Sequence, residues 1–261
     1  MTTVLQSPEM PCTSHSQISK SSEHTKNKAK IKHFRWILLL ALLTVSLTFG
    51  ANRFLTVKGY ILDPLRVEPV MQLPELPNGC EASSLATVLQ YYGYSVDKLD
   101  LAYGYIPRAD FWEQDGVRYG INPENAYPGD PATGRGFYCF AEPLVEGANQ
   151  YLSEQGSSYY AYDITGVTEA GLRQYLSEEI PVIVWITIDG EQPREGSFEW
   201  VDERSGETIR ALANVHCVVL TALGETKCVL SDPLNGERLM DKEDFLTSFL
   251  ALGSRAVVIH D

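Results

Sequence analysis

The sequence predicts an α+β domain carried behind a single membrane-spanning helix, on three observations. An uncharged run from Trp36 to Ala51 follows a Lys-rich leader. Helical periodicity recurs in three segments between Glu81 and Glu178, whereas short Val/Ile-rich runs bounded by turn residues dominate from Pro181 onward. Helices first and strands after fit α+β better than an alternating parallel α/β arrangement.

The leader, residues 1–35, carries six Lys/Arg against two Glu, so it holds +4 of a net charge of −13 and leaves −17 on the rest. It is polar, rich in Ser, Thr and Lys, and has no apolar period, which predicts a disordered basic tail. Residues 36–52 are read as a transmembrane anchor. The sixteen uncharged residues at ~1.5 Å each cover about 24 Å, short of a hydrocarbon core of roughly 30 Å unless Phe34 and snorkelling Arg35 and Arg53 extend them. Lys26, Lys28, Lys30, Lys32 and Arg35 precede the run. The positive-inside rule puts that side in the cytoplasm and everything after about Asn52 outside. The expected location is the cell membrane, single-pass, with an extracytoplasmic C-terminal domain. The alternative is a secreted domain released by signal cleavage, against which the long basic region and Phe49 at the −3 position count.

Residues 53–69 read as a stalk, because Pro64 and Pro69 interrupt their apolar residues. The folded domain is expected over 70–261. Its first element is a helix from Glu81, where Ala82, Leu85, Ala86, Leu89 and Tyr92 form one apolar stripe and Gly93 supplies the stop. Residues 100–138, with Pro107, Pro123, Pro128 and Pro131 among several glycines, hold no sustained period and are expected to form a long functional or mobile loop. Helices follow near 142–154 and 168–178. Strands are expected at 181–188, 215–223 and 226–232, with a hairpin or flap across 189–214. A short helix begins at Asp241, and 256–260 (AVVIH) makes a last strand.

Composition excludes several functions. A domain bearing −17 is a poor nucleic-acid ligand. No G-x-x-x-x-G-K-[ST], G-x-G-x-x-G or H-E-x-x-H run occurs, which removes the usual sequence arguments for a nucleotide or metal-protease centre, and no cofactor is implied. The five cysteines, Cys12, Cys80, Cys139, Cys217 and Cys228, are too few for a disulfide scaffold, and their odd number leaves at least one thiol free.

One constellation carries chemistry. Cys80 immediately precedes the amphipathic helix, where unsatisfied backbone N–H groups and the helix dipole favour a thiolate. Past the membrane segment the histidines are His216 and the penultimate His260. His216 opens a hydrophobic strand, where the two-residue period lets it enter a cleft while Cys217 turns to the other face. Asp232 ends the next strand and is the natural group to orient an imidazole, although Asp-Pro-Leu-Asn-Gly also suits a plain turn. Amide attack needs oxyanion donors, and Gln72, eight residues before Cys80, is the candidate beside a backbone N–H. Each residue alone has a bland structural reading; their combination points to nucleophilic catalysis.

The segment QLPELPNGCEASSLATVLQYYG resembles the N-terminal signature of bacteriocin-processing, double-glycine-leader-peptidase-like proteins, a branch of the papain-like cysteine peptidases. NVHCVVLTAL and VLSDPLNG resemble that family's histidine strand and aspartate turn, and NPENAYPGDPATGRGFY its Gly/Pro-rich insertion near the cleft. The resemblance covers roughly residues 70–260. It implies a papain-like α+β fold with the nucleophile helix packed on an antiparallel sheet. It also implies Cys80 as nucleophile, His216 as base and acid, Asp232 as orienter and Gln72 as oxyanion donor, with a peptide or protein as substrate. The family's leader peptidases are often fused to an ATP-driven transporter and act in the cytoplasm. This chain has no P-loop, and its charge asymmetry predicts the opposite side of the membrane, on a bacterial cell surface. An acyltransferase or transpeptidase using the same residues, and an inactive peptide-binding module, remain the competing functions.

Overall fold

The computed structural model describes residues 55–57 and 60–261. The predicted basic tail and the 36–52 anchor lie outside these residues. Among the described residues no helix is long and apolar enough to cross a membrane. The first described element is a short hairpin, β1 (Leu55–Val57) with β2 (Tyr60–Leu62).

The body of the chain then forms α1 (Cys80–Tyr91), a short α2 (Lys98–Asp100) that runs into a π turn over Leu101–Tyr105, and four short strands, β3 (Arg108–Ala109), β4 (Trp112–Gln114), β5 (Val117–Gly120) and β6 (Tyr127–Pro128). Next come α3 (Ala141–Glu154), β7 (Tyr160–Asp163), α4 (Glu169–Ser177) and β8 (Val182–Thr187). The remainder is β9 (Glu195–Asp202), β10 (Thr208–Leu212), β11 (Val215–Leu223), β12 (Lys227–Asp232), β13 (Gly236–Asp241), α5 (Lys242–Ala251) and β14 (Ala256–His260).

The main sheet has six strands in the order β13-β12-β11-β8-β14-β7, every pair antiparallel. Its central strands are apolar on both faces and covered on both, so they read as continuous Val/Ile runs rather than alternating ones. Cys217, Val219, Ile183, Trp185, Val257 and Ile259 pack with Leu85 and Leu89 of α1 and Leu144, Ala148 and Leu152 of α3. The intervening residues Val218, Leu220, Val184, Ile186 and Val258 pack with Leu172 of α4 and Phe245 and Phe249 of α5. Each fully buried Leu, Ile, Val or Phe contributes about 1.5–3 kcal/mol of burial. The period of two therefore sorts each strand's residues between two helical layers.

The helices expected from Glu81 and at 142–154, 168–178 and 241 onward appear within a residue or two of their expected ends. So do the strands at 181–188, 215–223, 226–232 and 256–260, and the hairpin across 189–214 is β9 with β10. The expected long loop at 100–138 instead contains four strands. Two of them join β9 and β10 in a second sheet, ordered β10-β9-β5-β4. Strands of two to four residues are too short to show a period. They are held by ring contacts of Phe111 with Phe137, Phe198 and Trp200 at 5.2–5.6 Å between centroids. Gly120 is needed there, because a Cβ would sit 2.6 Å from the Phe111 ring. Strands β7 and β13 went unpredicted for the related reason that both are edge strands with exposed residues and little Val or Ile.

Candidate active site

Three elements converge on Cys80. The sulfur sits at the first turn of α1, and α1 lies against β11, with the Ser84 hydroxyl donating to the Cys217 carbonyl (3.1 Å). The Cys217 main chain faces the sulfur and favours its thiolate form. Cys80 is thus docked one residue from His216. The turn before it is tight: Gly79 precedes the helix, and a Cβ there would fall 2.5 Å from Leu76 Cβ.

His216 pairs in register with Ile186 across β8, as Cys217 does with Trp185. Cys217 packs in the α1 layer, and His216 meets Asp232, whose Oδ1 lies 2.8 Å from His216 Nε2. The ring nitrogen left for a nucleophile is Nδ1. Asp232 is fully buried at the end of β12. Its Oδ1 also accepts the Leu234 N–H (2.8 Å), while Oδ2 accepts from Asn235 Nδ2 (3.1 Å) and pairs with Arg238 Nε (3.2 Å). Burial alone would raise its pKa, but the His216 hydrogen bond and charge, with the Leu234 and Asn235 donors, hold it at about 2. Asp232 is both a turn former and the His216 partner, so the two readings of Asp-Pro-Leu-Asn-Gly coexist.

Gln72 is buried, and its backbone ties the nucleophile loop to the aspartate turn: its N–H donates to the Pro233 carbonyl at 2.9 Å. One Nε2 proton goes to the Pro77 carbonyl (2.7 Å), which leaves the second uncommitted, and Oε1 has no partner among the described residues. Lys98 secures this loop from below. Its Nζ donates to the Met71 and Gln72 carbonyls and pairs with Glu75 at 2.7 Å. The Gly/Pro-rich insertion closes the other side. Asn78 donates from its backbone to Pro131 O (3.0 Å) and from its amide to Thr133 O (2.7 Å), and Tyr127 donates to Asn78 O (2.7 Å).

Two features depart from the sequence expectation. The Cys80 thiol is buried and makes its hydrogen bond to Glu81 Oε2 (3.4 Å), not to His216. Its pKa is consequently pushed up rather than down, first by burial and then by the Glu81 charge. Cys80, Cys139, Cys217 and Cys228 are all free of disulfides. Glu81, Lys98, Asn235 and Arg238 were not singled out from the sequence. Glu81 and Asn235 lie inside the quoted motifs, whereas Lys98 gave no local signal because its partners lie 23 to 27 residues earlier in the chain. Among the described residues no cluster of His, Cys, Asp or Glu could hold a metal ion.

Glu81 is 1% exposed, and burial raises its pKa to about 7, against lowering contributions from its own backbone, Cys80, Cys139 and Trp185. Between about pH 4.5 and 7 the folded protein keeps a proton that the unfolded chain has released, so stability falls as pH rises through that window and is level above it. The loss reaches about 3 kcal/mol. Denaturant unfolding at pH 5 and pH 8 should show this fall in the wild type and lose it in Glu81→Gln; equal slopes in both proteins would refute it.

Residues 64–257, about three quarters of the chain, match the Peptidase_C39 like family. The chain belongs to this family. It is 31% identical over 190 residues to the uncharacterized protein YvpB of Bacillus subtilis (strain 168), covering 72% of each chain. Among solved structures it resembles a Bacillus anthracis protein described as a C39-like peptidase, with 29% identity, a TM-score of 0.63, and coverage of 75% of this chain and 95% of that one. A more distant likeness is to the peptidase domain of Streptococcus ComA, a bi-functional ABC transporter, at 16% identity and a TM-score of 0.40, over 75% and 97% of the two chains. The expected resemblance to double-glycine-leader-peptidase-like proteins and the mixed α+β architecture are both met by these findings. Membership of the Peptidase_C39 like family supports a peptidase.

Proposed function

We propose that the chain is a cysteine peptidase that cleaves peptide bonds with Cys80 as nucleophile. His216 Nδ1 takes the thiol proton, the sulfur attacks the scissile carbonyl, and the imidazolium returns the proton to the leaving amine. Water, activated by the same nitrogen, then hydrolyses the thioester. Asp232, ionised at all working pH values, holds the imidazole through Nε2 and offsets its positive charge. The free Gln72 amide proton and the Cys80 backbone N–H are the oxyanion donors. The observation that carries this reading is the buried 2.8 Å His216–Asp232 bond one residue from the backbone against which the Cys80 sulfur is docked. Incubating the full-length chain with a peptide library, beside Cys80→Ala and His216→Ala, tests it by mass spectrometry. Cleavage by the wild type that both substitutions abolish is expected; cleavage that survives either one would overturn it.

The apolar run at 36–52 and its Lys-rich leader support a membrane-anchored enzyme whose catalytic domain acts outside the cytoplasm on an envelope-exposed peptide or protein. In fractionated cells the chain should sediment with membranes and its domain should be cut by protease added to intact spheroplasts. A soluble chain, or a domain protected until lysis, would refute this placement.

A further inference from the structure

The proposed chemistry leaves one buried charge beside the nucleophile without a role. Glu81 is the second residue of α1, and a first-turn glutamate ordinarily sits in water at the helix end. Here the side chain is folded inward. Oε2 takes the Cys80 thiol at 3.4 Å, Oε1 accepts the Cys139 backbone N–H at 3.2 Å, and the Trp185 indole, whose N–H donates to the Cys139 carbonyl at 2.8 Å, also faces it. The groups around it are Cys80 on its own helix, Tyr127 of β6, Tyr138 and Cys139 before α3, Trp185 of β8 and Cys217 of β11. None is basic, and burial pushes the titrating ones up, so Glu81 is the group that changes charge in this pocket near neutral pH. His216 has its Nε2 engaged by Asp232.

A carboxylate in this position acts against an imidazole. It accepts the S–H proton's hydrogen bond, and its charge opposes a thiolate next to it. We propose that Glu81 is a positioning residue that gates the nucleophile: ionised, it keeps the Cys80 sulfur neutral and turned into the core, and protonated, it releases the sulfur to His216. On release the thiol proton passes to His216 Nδ1, giving thiolate and imidazolium, while Glu81 keeps its own proton. The reactive pair therefore forms on the acid side of the Glu81 titration, about pH 7. This rests on the reading of Cys80 and His216 as nucleophile and base.

Alkylation of the full-length chain by iodoacetamide from pH 5.5 to 8.5, with the modified cysteine located by mass spectrometry, separates the two claims. Wild-type Cys80 should react several-fold more slowly at pH 8.5 than at pH 6, the reverse of a free thiol. Glu81→Gln should match the wild type at pH 5.5 and exceed it by about tenfold at pH 8.5. A wild-type rate that climbs steadily with pH, or a Glu81→Gln ratio that is the same at both ends, overturns the gate; a merely structural role for Glu81 predicts the second. Should Glu81→Gln not fold, the wild-type profile decides alone. His216→Ala distinguishes the underlying reading, because Cys80 reactivity unchanged in that variant removes the Cys–His pair itself rather than the gate.

Discussion

Cys80→Ala and His216→Ala proteins will lose at least about 10⁴-fold in kcat/KM on any peptide that the wild type cleaves. In the proposed mechanism alanine at position 80 removes the atom that forms the thioester, so what remains is binding and oxyanion stabilisation without a covalent route. In the same mechanism alanine at 216 removes the acceptor of the thiol proton. The loss there is just as severe, since burial and Glu81 hold the Cys80 pKa well above that of a free thiol and the sulfur does not ionise unaided. The double variant should be scarcely worse than either single one, because the two groups act as a unit. Progress curves with a cleaved peptide check this. A His216→Ala enzyme within tenfold of the wild type would mean that another group takes the proton. Folding should survive at position 80, where the substitution removes one sulfur from a helix end.

Asp232→Asn carries the second large effect, on stability and turnover together. The side chain is fully buried, hydrogen-bonded to His216, Leu234 and Asn235 and ion-paired with Arg238, so no water replaces these partners when the charge goes. Its carboxyl has a pKa of about 2 in the fold against an ordinary 3.8. A depressed pKa means that the stabilisation is complete above the unfolded value, about pH 4, and is lost as pH falls through about 2. The shift corresponds to about 2 kcal/mol at neutral pH. Asp232→Asn should accordingly be less stable than the wild type by about that amount at pH 6, with the two converging near pH 2, as read from urea unfolding. Turnover should fall by about 10²-fold or more, since an amide can still orient the ring but cannot offset its charge. A stability difference that stayed constant down to pH 2 would show that shape, not charge, is what Asp232 supplies.

The sequence by itself determined the order and the type of most elements, because apolar stripes of period 3.6 and Val/Ile runs arise from local chain geometry. It also offered Cys80, His216, Asp232 and Gln72 as candidates, since a cysteine at a helix start, a histidine opening a strand and an aspartate ending the next one are readable along the chain. Tertiary structure alone decided what surrounds them. That Glu81 turns inward to meet the thiol depends on Cys139 and Trp185, 58 and 104 positions further along the chain. That Lys98 holds the Gln72 loop, and that four strands of two to four residues build a platform on Phe111 and Trp200, likewise depend on partners brought together only by folding. Periodicity reports which face of an element is apolar; it carries no information on which distant group meets that face, and a buried charge takes its pKa from those groups.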